Sequence, residues 1–225
     1  YSSAVWGYGL HNKLDTIQNR AIRSYLGVHG FAPNLAINGD MGWTPCRIRR
    51  KIEMLRLWNK LQSMDNRRIT KHIFLWDIAQ HSNTNNWSRN VMDIFDEIDE
   101  HDSFVNNATV SLNWAWGVLF QKHTESWKSS LSTKPKLRSY ITCKDSYEVE
   151  PYVTLLMAPR YRSALAKLRC GILPLEIETG RYSGVPEVER LCKLCDGHCI
   201  ENEMHFLFVC LMYTDLRDSY LNRVR

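Results

Sequence analysis

The segment "LCKLCDGHCIENEMHFLFVC", residues 191–210, places four cysteines and two histidines within twenty positions. Few arrangements restrict a chain more, because soft donors this close either share a metal ion or must all be accommodated as packed side chains. Cys192 and Cys195 are separated by two residues, which lets both sulfurs reach one tetrahedral ion at about 2.3 Å. His205 and Cys210, separated by four residues, supply a second pair. Positions five apart diverge on an uninterrupted α-helix, so the spacing predicts that the helix loosens or ends near Val209 and lets Cys210 turn back. Three thiolates and one imidazole would close the coordination shell, which is the mark of a structural zinc site. Buried free thiols, or a CxxC redox pair, are the other uses of such residues. His198 and Cys199 also lie inside the segment and are alternative ligands. "DGHC" reads as a loop tip, and adjacent ligands fit one ion awkwardly. The spacing Cys-x2-Cys-x9-His-x4-Cys is neither a two-Cys, two-His finger nor a retroviral knuckle, so the recognition rules of those modules do not transfer.

The seven cysteines are odd in number and clustered, unlike an extracellular disulfide framework, so reduced thiols in a cytoplasmic and nuclear setting are expected. No apolar run is long enough to span a bilayer, and no membrane partner is expected. The chain of 225 residues opens "YSSAVWGYGL", which reads as interior sequence and implies a fragment of a longer protein.

The periodicity is helical almost throughout. Helices are expected over His11–Gly27, in short turns at Asn34–Met41, and from a Thr44 cap and Pro45 first-turn residue to about Met64. Further helices are expected at Ile69–Gln80, Ser88–His101, Ser111–Leu131, Pro159–Arg169 and Tyr213–Val224. Leu14, Ile17, Ala21, Ile22 and Tyr25 should form the apolar face of the first. Leu173–Gly184 reads as irregular or briefly extended. The fold class is therefore mainly α, a helical bundle followed by a small irregular zinc-binding module with short helices. The expected divisions are a helical region, 1–133; a linker or irregular segment, 134–157; and a zinc-binding module, 158–225.

The net charge of +5 is unevenly distributed. Thr44–His72 holds nine Lys and Arg against two acids, whereas Asp93–Asp102 holds six acids and neither Lys nor Arg. Arg47, Arg50 and Lys51 flank the apolar face of the Pro45 helix, while Arg49, Arg56 and Lys60 sit with Glu53 at salt-bridge spacing. This strip is either a solvated face or a track for phosphates. Arg181, Arg190 and Lys193 are candidate nucleic-acid contacts because a metal clip would fix their directions. Trp43, Trp114 and Trp116 are expected in the core. Val91, Ile94, Phe95 and Ile98 form an apolar stripe, so the acids of "IFDEIDEHD" (94–102) should face solvent rather than hold catalytic metals. No Gly-rich phosphate loop, nucleophile elbow or His-Glu-x-x-His occurs. A zinc hydrolase would have only Glu201 or Glu203 as its base.

Two stretches carry a resemblance. "LRCGILPLEIETGRY" (168–182), followed by "RLCKLCDGHCIENEMHFLFVCLMYTDLR" (190–217), resembles the zinc-binding tail of LINE-type, non-LTR retrotransposon reverse transcriptases. Its marks are Arg-x-Gly, Pro-Leu, Gly-Arg-Tyr, CxxC, Glu-x-Glu-x-His-Phe-Leu and a last Cys near a Tyr. "YSSAVWG" (1–7) with "LDTIQNRAIRSYLGVHGFAPNLAINGDMGWTP" (14–45) resembles the helical region after the polymerase palm, which would make 1–133 thumb-like or connecting. Residues 66–157 carry no such motif. The resemblance implies Cys192, Cys195, His205 and Cys210 as structural Zn2+ ligands, and a role in gripping template RNA or target DNA beside the remainder of the parent polymerase. The aromatic-x-Asp-Asp signature of an RNA-directed DNA polymerase is absent, so this fragment is not expected to be an enzyme by itself. The alternative is a non-catalytic helical protein–protein interaction module derived from such an element.

Overall fold

A computed structural model describes residues 2–9, 11–82 and 86–224. The chain is mainly helical, 66% of it, and holds no strand among the described residues. It forms two compact units: 1–18 with 43–127, and 19–42 with 128–225. Residues 19–42 and 128–133 of the expected helical region thus belong to the second unit. So does the expected linker 134–157, which contains helical turns at Pro135–Leu137, Arg138–Cys143 and Pro151–Thr154.

The first unit is built around Trp58 on the helix Cys46–Gln62. Its ring stacks on Phe104 at 5.0 Å and meets Phe74 and Phe95 edge-on at 5.3 and 5.4 Å. The indole N–H donates to Ala108 O at 2.9 Å, so the buried polar end is satisfied. Ile48, Ile52, Leu55 and Leu61 pack inward from the same helix, as their spacing requires. Pro45 is the cap of this helix rather than its first residue, because its ψ of 140° is extended. At the other end, buried Lys71 donates to the terminal carbonyls of Leu61 and Gln62 at 2.8 and 3.0 Å. A cation at a helix C-terminus meets both the unpaired carbonyls and the dipole.

The expected helix Ser88–His101 is two, Trp87–Glu97 and His101–Val105. The chain turns at Asp99, whose φ is 60°. Val91, Ile94, Phe95 and Ile98 are fully buried. Four of the acids beside them find basic partners: Asp93 with Arg89, Asp96 with His101, Glu97 with the largely buried Lys51 and Asp99 with Lys122. On Leu112–Leu131, Ala115, Leu119 and Trp127 are buried. Trp43, Trp114 and Trp116, expected in the core, are partly exposed instead. Trp116 stacks on Phe120 at 4.7 Å and 10°, a pairing along one helix that needs no burial.

In the second unit the helix Asn12–Leu26 contributes buried Ile22 and Leu26, and Gly27, at φ 65°, ends it as expected. Tyr25, expected on the apolar face, is 45% exposed, because the ring lies under Arg162 while its hydroxyl donates to Val153 O at 2.7 Å. Ile17, in the first unit's part of that helix, is also exposed. Asp40, on the helix Asn34–Met41, is fully buried. Arg169 Nε and Nη2 donate to its two oxygens at 2.9–3.2 Å, and Tyr152 donates to Oδ2 at 2.7 Å. Glu150 N–H donates to Asp40 O, and the Glu150 carboxylate also accepts from Arg169 and Lys144. Removing one partner from such a pair strands a buried charge. Burial and the Asp40 charge push the Tyr152 and Tyr140 hydroxyls above the ordinary phenol value. The helix Pro159–Arg169 ends at Gly171, φ 60°, where a Cβ would stand 2.3 Å from Lys136 O.

Gly171→Ala is expected to destabilise the chain by about 2 kcal/mol or more, since it adds both left-handed strain and a backbone clash. Gly30→Ala, with nothing within 4 Å, should stay within about 0.5 kcal/mol. Urea unfolding of the two variants measures the difference. A second expectation concerns His123, whose Nδ1 lies 3.3 Å from Arg47. Burial, helped by that guanidinium, pushes the imidazole from 6.5 down to about 4. The unfolded chain takes up this proton first, so the stabilisation is complete above pH 6.5 and is lost as pH falls towards 4. His123→Gln should therefore lose less melting temperature than the parent between pH 7 and 4.5.

Candidate metal centre

The carboxyl-terminal module begins with a hairpin. Leu191 and Ile200 form an antiparallel bridge, Cys192 N–H donates to Cys199 O at 2.9 Å, and Glu201 N–H donates to Arg190 O at 2.9 Å. The loop thus closed carries the first two cysteines. Its backbone turns towards their sulfurs: Leu194 N–H donates to Cys192 Sγ at 3.4 Å, and Gly197 N–H to Cys195. His198 sits at the tip with φ 44°, exposed, and exposed Cys199 donates to Gly197 O. Neither belongs to the cluster that forms.

The chain then enters a short helix in which Asn202 Oδ1 accepts from His205 N–H at 2.9 Å. Residues His205–Val209 form a π-helical turn, closed by Cys210 N–H to His205 O at 2.8 Å. This is the physical form of the expected loosening. Five residues of α-helix rotate the side chain about 140° away, whereas the wider π turn brings positions five apart back towards one face.

Cys192, Cys195, His205 and Cys210 converge, their ligand atoms all within 4.8 Å of one another. Cys192 Sγ lies 4.0 Å from Cys210 Sγ, and Cys195 Sγ lies 3.5 Å from His205 Nε2. A tetrahedral ion with metal–sulfur bonds of about 2.3 Å and a metal–nitrogen bond of about 2.0 Å needs edges of about 3.8 and 3.5 Å. The donor set therefore could hold a metal ion. Cys210, His205 and Cys192 are buried, and Cys195 is half-buried. His205 Nδ1 is buried without a hydrogen-bond partner, so packing rather than a second hydrogen bond fixes the ring. Burial pushes the Cys192 thiol up to about 11, while the Gly197 N–H holds Cys195 below the ordinary thiol value. A bound cation would reverse the first effect, because a coordinating thiol is deprotonated.

Buried carboxylates brace the four donors. Glu201 Oε2 accepts from Glu176 N–H at 2.8 Å and its carbonyl from Ile177 N–H at 3.1 Å, capping the helix Glu176–Tyr182. That helix occupies the stretch expected to be irregular; its first-turn donors are satisfied from outside by Glu201, which local sequence does not reveal. Glu201 Oε1 lies 3.7 Å from Cys192 Sγ. Glu203 accepts from Arg138 at 2.7 Å and from Ser139 at 2.9 Å. Arg138 also donates to buried Glu178 at 3.1 Å. Glu201 and Glu203 are thus engaged in holding helices.

The six basic candidates separate by environment. Arg50 is only 6% exposed and does not present its guanidinium to solvent, contrary to its expected place at the edge of the apolar face; Gly7 packs against its Cβ. Arg190 donates to Val185 O and Ile177 O at 2.9 and 3.0 Å and passes over Gly180, where a Cβ would stand 2.8 Å from Arg190 Cγ. It is a brace. Lys51 pairs with Glu97. Arg47 and Arg181 are exposed, and Lys193 is exposed while pairing with Glu176 at 2.8 Å. The sequence reading missed Asp40, Arg138 and Glu178; Asp40 lay inside the quoted stretch 14–45 without being singled out, and Arg169 inside the Arg-x-Gly mark.

Fold and site together define a helical protein with a candidate Cys3His metal centre. A scan of family models, a search of curated proteins and a search of solved structures each find no match.

Cys192→Ser or His205→Ala should remove about 4 kcal/mol or more of stability from the region after residue 170, because the binding free energy of such an ion is largely folding free energy. Cys143→Ser and Cys46→Ser should be nearly silent. Hydrogen exchange with and without chelator, read beside native mass spectrometry for one metal per chain, tests both statements.

Proposed function

We propose that the chain is the carboxyl-terminal, nucleic-acid-binding part of a LINE-type non-LTR retrotransposon reverse transcriptase, with a structural Zn2+ that helps it grip template RNA or target DNA. The observation that carries this reading is the convergence of Cys192, Cys195, His205 and Cys210. Three of the motifs that prompted the resemblance have structural roles in the same unit. Arg-x-Gly supplies Arg169 to Asp40 and the turn at Gly171; Gly-Arg-Tyr supplies the space for Arg190; Glu-x-Glu-x-His supplies a helix cap, a partner for Arg138 and a ligand. Three thiolates and an imidazole favour Zn2+ over harder ions.

The polymerase chemistry belongs, in this reading, to the remainder of the parent protein. Nucleotidyl transfer by two metals needs clustered carboxylates, whereas four of the six acids between 93 and 102, Asp93, Asp96, Glu97 and Asp99, are each paired with a separate basic side chain. No helix among the described residues is long and apolar enough to cross a membrane. A cytoplasmic and nuclear location follows from the reading, not from that fact.

The alternative, a helical protein–protein interaction module, is favoured by one feature. Phe208, Leu211, Met212 and Leu216 are all more than half exposed on the metal module. Apolar side chains grouped this way mark contact surfaces.

Fluorescence anisotropy with labelled single-stranded RNA and duplex DNA separates the two. Four phosphate contacts would weaken binding about 100-fold between 50 and 200 mM salt, with little dependence on base sequence. Binding that is absent at 50 mM, or unchanged at 200 mM, would count for the alternative.

A further inference from the structure

The second unit contains a cavity of about 350 Å3, lined by residues 33–35 at the start of the helix Asn34–Met41, by residues 134–136, and by Arg181. Its lining combines two chemistries. Pro33, Leu35 and Pro135 give apolar walls, and Lys134, Lys136 and Arg181 give positive charge. The charge is not balanced locally. Lys136 and Arg181 share one carboxylate, Glu178, at 4.0 and 3.0 Å, and Arg138 engages the same group at 3.1 Å. Exposed Lys134 makes no ion pair among the described residues, and the first turn of the adjoining helix carries no acid.

A ligand suited to this cleft needs a compact apolar part and at least one anionic group. A nucleotide has both: a flat base whose faces pack on apolar side chains, and phosphates that neutralise lysine and arginine. The size is at the lower end for small-molecule pockets, enough for one such unit. A duplex keeps its bases paired and stacked, so an apolar wall within a cleft is of use only to an unpaired base.

We propose that this cleft is a nucleotide subsite, which takes one unpaired base of a single-stranded nucleic acid against Pro33, Leu35 and Pro135, and its phosphates on Lys134 and Arg181. The proposal rests on the reading that the chain binds nucleic acid, and it narrows that reading to a strand and a place.

The test uses the full chain, a labelled twelve-nucleotide oligouridylate and a duplex of equal length. Lys134→Glu with Arg181→Gln is expected to weaken binding of the single strand about tenfold or more and to reduce the salt slope by about two, with less effect on the duplex. Lys134→Arg should restore the single-strand affinity, and Lys13→Glu, a charge reversal elsewhere, should leave it within about threefold. Should Arg181→Gln lower the melting midpoint by disturbing Glu178, Lys134→Glu alone carries the test, with a slope change of about one. Crosslinking from 4-thiouridine should map to the peptide holding residues 133–136.

Parent binding with unchanged affinity and slope in the variants would overturn the subsite and leave the functional reading standing. Equal losses for strand and duplex would reduce the cleft to a general phosphate contact, and displacement of the oligonucleotide by polyglutamate at matched charge would reassign it to acidic peptide. Absence of parent binding to either probe would overturn the functional reading and the subsite together.

Discussion

Three sulfurs and an imidazole nitrogen gathered around one point set the terms for the carboxyl-terminal module. Thiolates in such proximity repel one another, and neutral thiols there form only weak hydrogen bonds. A divalent cation would turn the same crowding into attraction, and would tie the 192–195 loop to the π turn at 205–209. The hairpin presents Lys193, and the turn carries Phe208 outward.

Buried charge helps join the module to the rest of its unit. Arg138 spans Glu178 and Glu203, and Arg169 holds Asp40 and Glu150. Buried pairs of this kind add little net stability, because desolvation offsets most of the attraction. They are intolerant of being broken, however, and each specifies one geometry. Bidentate guanidinium–carboxylate contact also demands a defined orientation, which suits Arg169 to the task where Lys would not serve. The Glu-x-Glu-x-His run shows the same logic at short range. Alternate residues send one carboxylate to a helix terminus, the next to Arg138, and the imidazole to the metal centre.

Basic residues close to the centre have divided roles. Arg190 and Arg138 hold the fold together, whereas Lys134, Lys193 and Arg181 reach solvent or the cleft beside residues 33–35. Charge counts from sequence cannot separate these roles, since an arginine donating to carbonyls and one awaiting a phosphate read alike. Partial burial distinguishes them.

Short-range order was legible in the residues themselves. Periodicity gave most helices within a few positions, the apolar stripe from Val91 to Ile98 gave a buried face, and chelate spacing gave the four converging donors. These depend on neighbours within a turn or a loop, where chain connectivity limits the geometry. Tertiary structure alone decided the rest. Asp40 meets Arg169 across 129 residues, and Glu203 meets Arg138 across 65, so neither partner carries a local sign of the other. The helix Glu176–Tyr182 formed where an irregular or briefly extended stretch was expected, because its first-turn donors are met by Glu201. Arg50 was buried, and Ile17 and Trp114 left exposed, because burial is fixed by which faces the packed elements cover, a property of the assembled units and not of any stretch of sequence.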